Sequence, residues 1–64
     1  MPFFDVNVDL SNEDGNAFSI IGRVSKALRR AGATPEQINE FRDDATSGDY
    51  DHVLQTCMKW AEVD

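Results

Sequence analysis

The sequence predicts a small α+β domain: a two-stranded sheet covered by three helices, in the order β-α-α-α-β. Three observations carry that expectation. Residues 3–10 alternate between apolar and polar side chains, the period of a half-buried strand. Residues 16–31, NAFSIIGRVSKALRRA, carry apolar side chains at steps of three and four, the period of a helix. Two further helical stretches follow, each opened by a capping residue.

In the first segment Phe4, Val6, Val8 and Leu10 point one way, and Phe3, Asp5, Asn7 and Asp9 the other. Branched and aromatic residues suit a strand, and Pro2 is tolerated at a strand end. A lone strand leaves its backbone groups unpaired. Its expected partner is a C-terminal strand near residues 59–63, a stretch that otherwise continues the third helix. The alternative partner is the same strand of a second chain.

Residues 11–15, SNEDG, read as a turn. Asn16 is the expected N-cap of the first helix, and Glu13 and Asp14 lie near the positive end of its dipole. Ala17, Ile20, Ile21, Val24, Ala27, Leu28 and Ala31 form its apolar stripe. Arg23, Lys26, Arg29 and Arg30 fall mostly on the other side. Gly22 interrupts the helix at a cost of about 1 kcal/mol relative to Ala, and close approach of another element would account for it. Gly32 is the expected left-handed stop.

Thr34, Pro35 and Gln37 spell a helix start with a capping box, and Ala33 with Ile38 forms a hydrophobic staple. Ile38, Phe41 and Ala45 make a narrow stripe, with Glu40, Asp43 and Asp44 toward water. Ser47-Gly48 ends this second helix. Asp49 caps the third, in which Val53, Leu54, Cys57, Met58 and Ala61 recur at helical spacing. The expected core is Phe4, Val6, Val8, Ile21, Val24, Leu28, Phe41, Leu54 and Met58.

The stretches DLSNEDGNAF (9–18) and SGDYDHVLQ (47–55) together resemble small uncharacterised proteins encoded in bacterial genomes and in tailed phages. The shared features are Asp9-Leu10, Asp14 through Phe18, the mid-helix Gly22, and Ser47 through His52. Arg23 stands where many of those proteins have an aromatic. The resemblance implies a compact α+β protein of accessory type, and it implies no reaction.

Sixty-four residues make one small domain, and such a chain buries only about 60% of its extended surface. Cys57 is the sole cysteine, so a reducing compartment is the simpler expectation. No apolar run approaches the roughly 18 residues of a membrane span, and MPFFDVNVD lacks a basic leader region. A cytoplasmic protein without membrane association, monomeric or weakly dimeric, is expected. The net charge is −6. Residues 1–33 balance four basic against four acidic side chains, whereas residues 34–64 set Arg42 and Lys59 against eight acids. That acidic half disfavours general nucleic-acid binding, which needs Lys and Arg on phosphates.

Each candidate site has a plain structural reading beside it. Asp9, Ser11 and Glu13 mimic the start of a calcium loop, but its sixth and twelfth positions fall on Asp14 and Ile20 rather than Gly and Glu. Asp49, Asp51 and His52 are too few for zinc, which takes three or four protein ligands. Cys57 with His52 is a conceivable nucleophile and base. Cys57 lies in an apolar stripe, however, where a thiol is a small hydrophobe. No metal, cofactor or catalytic residue is therefore assigned, and no enzyme is expected.

Candidate partner-binding residues are the basic Arg23, Lys26, Arg29 and Arg30, the acidic Glu40, Asp43 and Asp44, and the aromatic Tyr50 and Trp60. Tyr and Trp are enriched in interface hot spots, though a small domain equally needs them for packing. The functional expectation is an accessory or regulatory protein that binds another protein, of unspecified identity. The alternatives are nucleic-acid binding through the basic face, or an acidic half that imitates a phosphate backbone.

Overall fold

The computed structural model describes residues 3–10 and 16–63. Its elements run β1 (Asn7–Val8), α1 (Ala17–Arg30), α2 (Pro35–Ala45), α3 (Tyr50–Trp60) and β2 (Glu62–Val63). This is the expected β-α-α-α-β order. The two strands pair in parallel, Asn7 opposite Glu62 and Val8 opposite Val63. Parallel strands need a long crossover, and the three helices supply it.

The first strand is shorter than the 3–10 span expected from alternation. The alternation itself holds, with Val8 buried, Phe4, Val6 and Leu10 half-buried, and Phe3, Asp5, Asn7 and Asp9 exposed. What changes is the backbone pairing. The N–H groups of Phe3 and Phe4 donate to the carbonyls of Lys59 and Trp60, each at 3.0 Å. The last carbonyls of a helix have no partner inside it, so the start of the chain caps α3. Val6 N–H then turns back to the Phe4 carbonyl at 3.0 Å, and Val6 accepts from Glu62 N–H at 2.9 Å. Only Asn7 and Val8 remain for the ladder. The expected C-terminal partner strand forms, but the helix runs through Trp60 before it.

Each helix begins where its cap predicts. Asn16 Oδ1 accepts from Phe18 N–H at 2.8 Å. Thr34 and Gln37 form both halves of a capping box, at 3.1 and 2.8 Å. Asp49 Oδ1 accepts from His52 N–H at 3.0 Å. Gly32 has the positive φ, 103°, expected of the stop after α1. The expected 11–15 turn, with Glu13 and Asp14, lies outside the described residues.

The core joins Ile20, Ile21, Val24 and Leu28 of α1 with Ile38, Phe41 and Ala45 of α2, and with Val53, Cys57 and Trp60 of α3. Ala31, expected on the α1 stripe, is exposed at the helix end. Trp60 is the hub. Phe41 and Phe3 meet it edge-on at 5.9 and 5.0 Å, and Phe4 stacks on it at 6.1 Å. Met58, expected in the core, is instead 54% exposed. The buried stripe of α3 runs Val53, Thr56, Cys57, Trp60. Burying Trp60 turns the helix so that Met58 faces outward. Thr56 tolerates its place because its hydroxyl donates to the His52 carbonyl at 2.8 Å.

Candidate binding surface

α1 carries a second face beside its core stripe. Phe18, Gly22, Ser25 and Arg29 recur at steps of four, three and four, which stacks them along one line of the helix. Together with Arg42 and Thr46 of the α2 end they line an open groove of about 430 Å³. A second, more apolar groove of about 240 Å³ shares Phe18, Ile21 and Thr46 with it and continues to Tyr50 and Val53. The two therefore form one continuous surface with an apolar end and a basic end. Phe18 stands at the junction, 79% exposed, and Tyr50 is 44% exposed.

Lys26, Arg29 and Arg42 supply the basic end. Among the described residues none of the three makes an ion pair. Asp44, two residues beyond Arg42 in the sequence, is engaged with α3 instead. Asp44 binds His52 Nε2 at 3.1 Å and Lys59 Nζ at 3.3 Å. Hydrogen bonds from His52 and then Lys59 hold its carboxyl below the ordinary value. Asp44 was expected to face water. It is half-buried instead, because α3 brings these two donors to it.

Ser25 is 7% exposed and its Oγ has no hydrogen-bond partner among the described residues. A buried hydroxyl without a partner is unfavourable by about 1–3 kcal/mol. Gly22 is also unexplained from within the fold. A Cβ built on it meets nothing within 4 Å among the described residues, so none of them makes the close approach expected there. The glycine that does permit a close approach is Gly48, whose Cβ would lie 2.9 Å from His52 Cβ and Cγ.

The remaining candidate residues divide. Arg23, Lys26 and Arg30 line a separate groove of about 330 Å³ beside Val6, Asn7 and Val8 of the first strand segment. The basic face is thus split between two grooves, with Lys26 common to both. Glu40 and Asp43 are exposed on α2. Trp60, weighed as a partner anchor, is 5% exposed and buried among Phe3, Phe4 and Phe41. Packing of the core takes it, where Phe3, Phe4 and Phe41 surround its ring.

Around His52 the chemistry is structural. Its Nε2 lies 2.8 Å from the Asp44 carbonyl and 3.1 Å from Asp44 Oδ1. Both oxygens only accept, so Nε2 carries the hydrogen. Cys57 is fully buried, and burial pushes its thiol up to about 11. A thiol so raised is protonated and poorly nucleophilic at neutral pH. Among the described residues no three His, Cys, Asp or Glu side chains gather as metal ligands. Among the described residues no helix is long and apolar enough to cross a membrane.

No family model, curated protein or solved structure matches the chain.

Phe18, Gly22, Ser25 and Arg42 were not singled out as site residues from the sequence. A signal existed for Phe18: it is a large aromatic off the apolar stripe of a helix whose other large apolar residues keep to it. For Ser25 and Arg42 none existed, since their role depends on how α2 lies against α1.

Proposed function

We propose that this protein is a non-enzymatic accessory or regulatory protein that acts by binding another protein through the groove along α1. The observation that carries the reading is the exposure of Phe18. In a chain of 64 residues that needs its large apolar side chains for a core, an aromatic left 79% exposed has been spent on something other than folding. It borders a concave surface and lies beside a second exposed aromatic, Tyr50. Exposed aromatics beside a groove are the usual anchors of protein interfaces. The groove walls offer no set of groups able to fill nucleophile, base and stabiliser roles.

A pull-down from lysate of the source cell, with nuclease and at raised salt, tests this. A protein retained through nuclease treatment, and lost on Phe18→Ser, supports the proposal. Recovery of nucleic acid alone, abolished by replacing Arg29 and Arg30 with Ala, overturns it in favour of phosphate binding.

A further inference from the structure

We propose that the groove takes an acidic segment of a partner protein, whose backbone lies directly against Gly22 and whose carboxylates meet Lys26, Arg29 and Arg42. The inference rests on the protein-binding reading above and names the partner's chemistry.

The first argument is the glycine. Gly22 occupies the middle of α1 (Ala17–Arg30), where Gly is less favourable than Ala by about 1 kcal/mol. Its φ is not positive, so the backbone does not require glycine. Among the described residues nothing beyond the helix's own backbone comes within 4 Å of the missing Cβ, so packing among them does not require it either. Gly22 does line the groove. A bare stretch of helix backbone is what lets a second backbone approach closely, and here that second backbone belongs to an occupant.

Ser25, one turn along the same line, also borders the groove, but its hydroxyl oxygen is sealed from it. It is more than nine-tenths buried, and its hydroxyl is unpaired among the described residues.

Charge then fixes the chemistry. Lys26, Arg29 and Arg42 converge on one end without an ion pair among the described residues. Carboxylates are their natural complement. A nucleic acid also offers anions, but it would have to approach a molecule of net charge −6, and the other end of the groove is apolar. A short segment with a large apolar residue at one end and acidic residues at the other matches both ends. From Phe18 to Arg29 the helix rises about 16 Å at 1.5 Å per residue. That length holds about 11 residues of helix or about five of extended chain.

The experiment is selection from a displayed library of random peptides about 12 residues long on the wild-type protein. Enriched peptides are then synthesised and titrated into labelled protein by NMR. Enrichment of sequences that pair a large apolar residue with acidic ones is expected. Their titration shifts the amides of Gly22, Ser25 and Arg29, and affinity falls at least about ten-fold on Gly22→Leu. It falls likewise with rising salt. Gly22→Leu melts no lower than wild type, because a Cβ there meets nothing within 4 Å among the described residues and Leu is favoured over Gly in a helix interior.

Enriched peptides that are basic or uncharged, yet shift the same amides, would overturn the acidic-segment inference and leave the groove reading standing. Failure to enrich any peptide, or peptides that bind Gly22→Leu as tightly as wild type, would overturn both. Concentration-dependent self-association abolished by Gly22→Leu would overturn the inference by identifying a second copy as occupant. A duplex oligonucleotide that shifts the same amides more tightly than any peptide would overturn both.

Discussion

His52 caps α2 from across the turn: its Nε2 lies 2.8 Å from the carbonyl oxygen of Asp44, one residue before the helix ends, and 3.1 Å from the Asp44 carboxylate. The same carbonyl accepts the Ser47 hydroxyl at 2.7 Å. One residue thus ties the α2–α3 turn at both main chain and side chain. His52→Ala removes the donor and is expected to lower stability by on the order of 1 kcal/mol, read from urea denaturation with an unchanged slope.

The Asp44 carboxyl gives this tie a pH dependence. Its pKa is lowered from the ordinary 3.8 by hydrogen bonds from His52 and then Lys59. A carboxyl depressed in the folded state stabilises the fold above its unfolded value, and that contribution is lost as pH falls through the folded value. The melting midpoint should therefore drop on acidification below about pH 4, and Asp44→Asn should flatten the drop. Equal slopes for the two proteins would show that the carboxyl is uncoupled from folding.

The two helix-associated glycines should respond with opposite signs. Gly22→Ala adds a methyl into open space in a helix interior, so stability should rise by about 0.5–1 kcal/mol. Gly48→Ala drives a Cβ to 2.9 Å from His52 Cβ and Cγ, atoms close to the backbone that cannot swing away. A loss of about 1–2 kcal/mol is expected from the clash and the displaced ring. Thermal melts of the two variants side by side settle both signs.

Trp60 and Met58 make a second contrast. Trp60→Ala empties the centre of the aromatic cluster, and such a change costs about 3–5 kcal/mol. In a domain with a thin margin the variant should lose its dispersed NMR spectrum at room temperature. Met58→Ser, on an exposed side chain, should stay within about 0.5 kcal/mol of wild type.

Local features were legible in the sequence, and features that depend on non-local choices were not. The caps at Asn16, Thr34 and Asp49 rest on bonds two or three residues away, and each formed as its neighbours dictate. The element order followed from the change of period between residues 3–10 and 16–31. The length of β1 did not follow, because alternation is blind to the rivalry between the ladder and the unpaired carbonyls of Lys59 and Trp60. Met58 was misplaced for a related reason. Two adjacent stripes of α3 are both apolar, and only the ring partners Phe3, Phe4 and Phe41 decide that Trp60 faces inward. In the candidate site, Lys26, Arg29 and Tyr50 were legible by residue type. Gly22 is legible as a helix interruption, but its open setting shows only in the fold, where none of the described residues reaches a Cβ placed on it.

The most direct measurement of the central claim is photo-crosslinking in the source cell. A photoreactive phenylalanine analogue is placed at Phe18, beside the groove, and in a control protein at Met58, exposed on α3. The account predicts a discrete protein adduct from position 18, lost when Gly22→Leu is added, and none from position 58. No adduct at 18, or the same adduct from both positions, would contradict it.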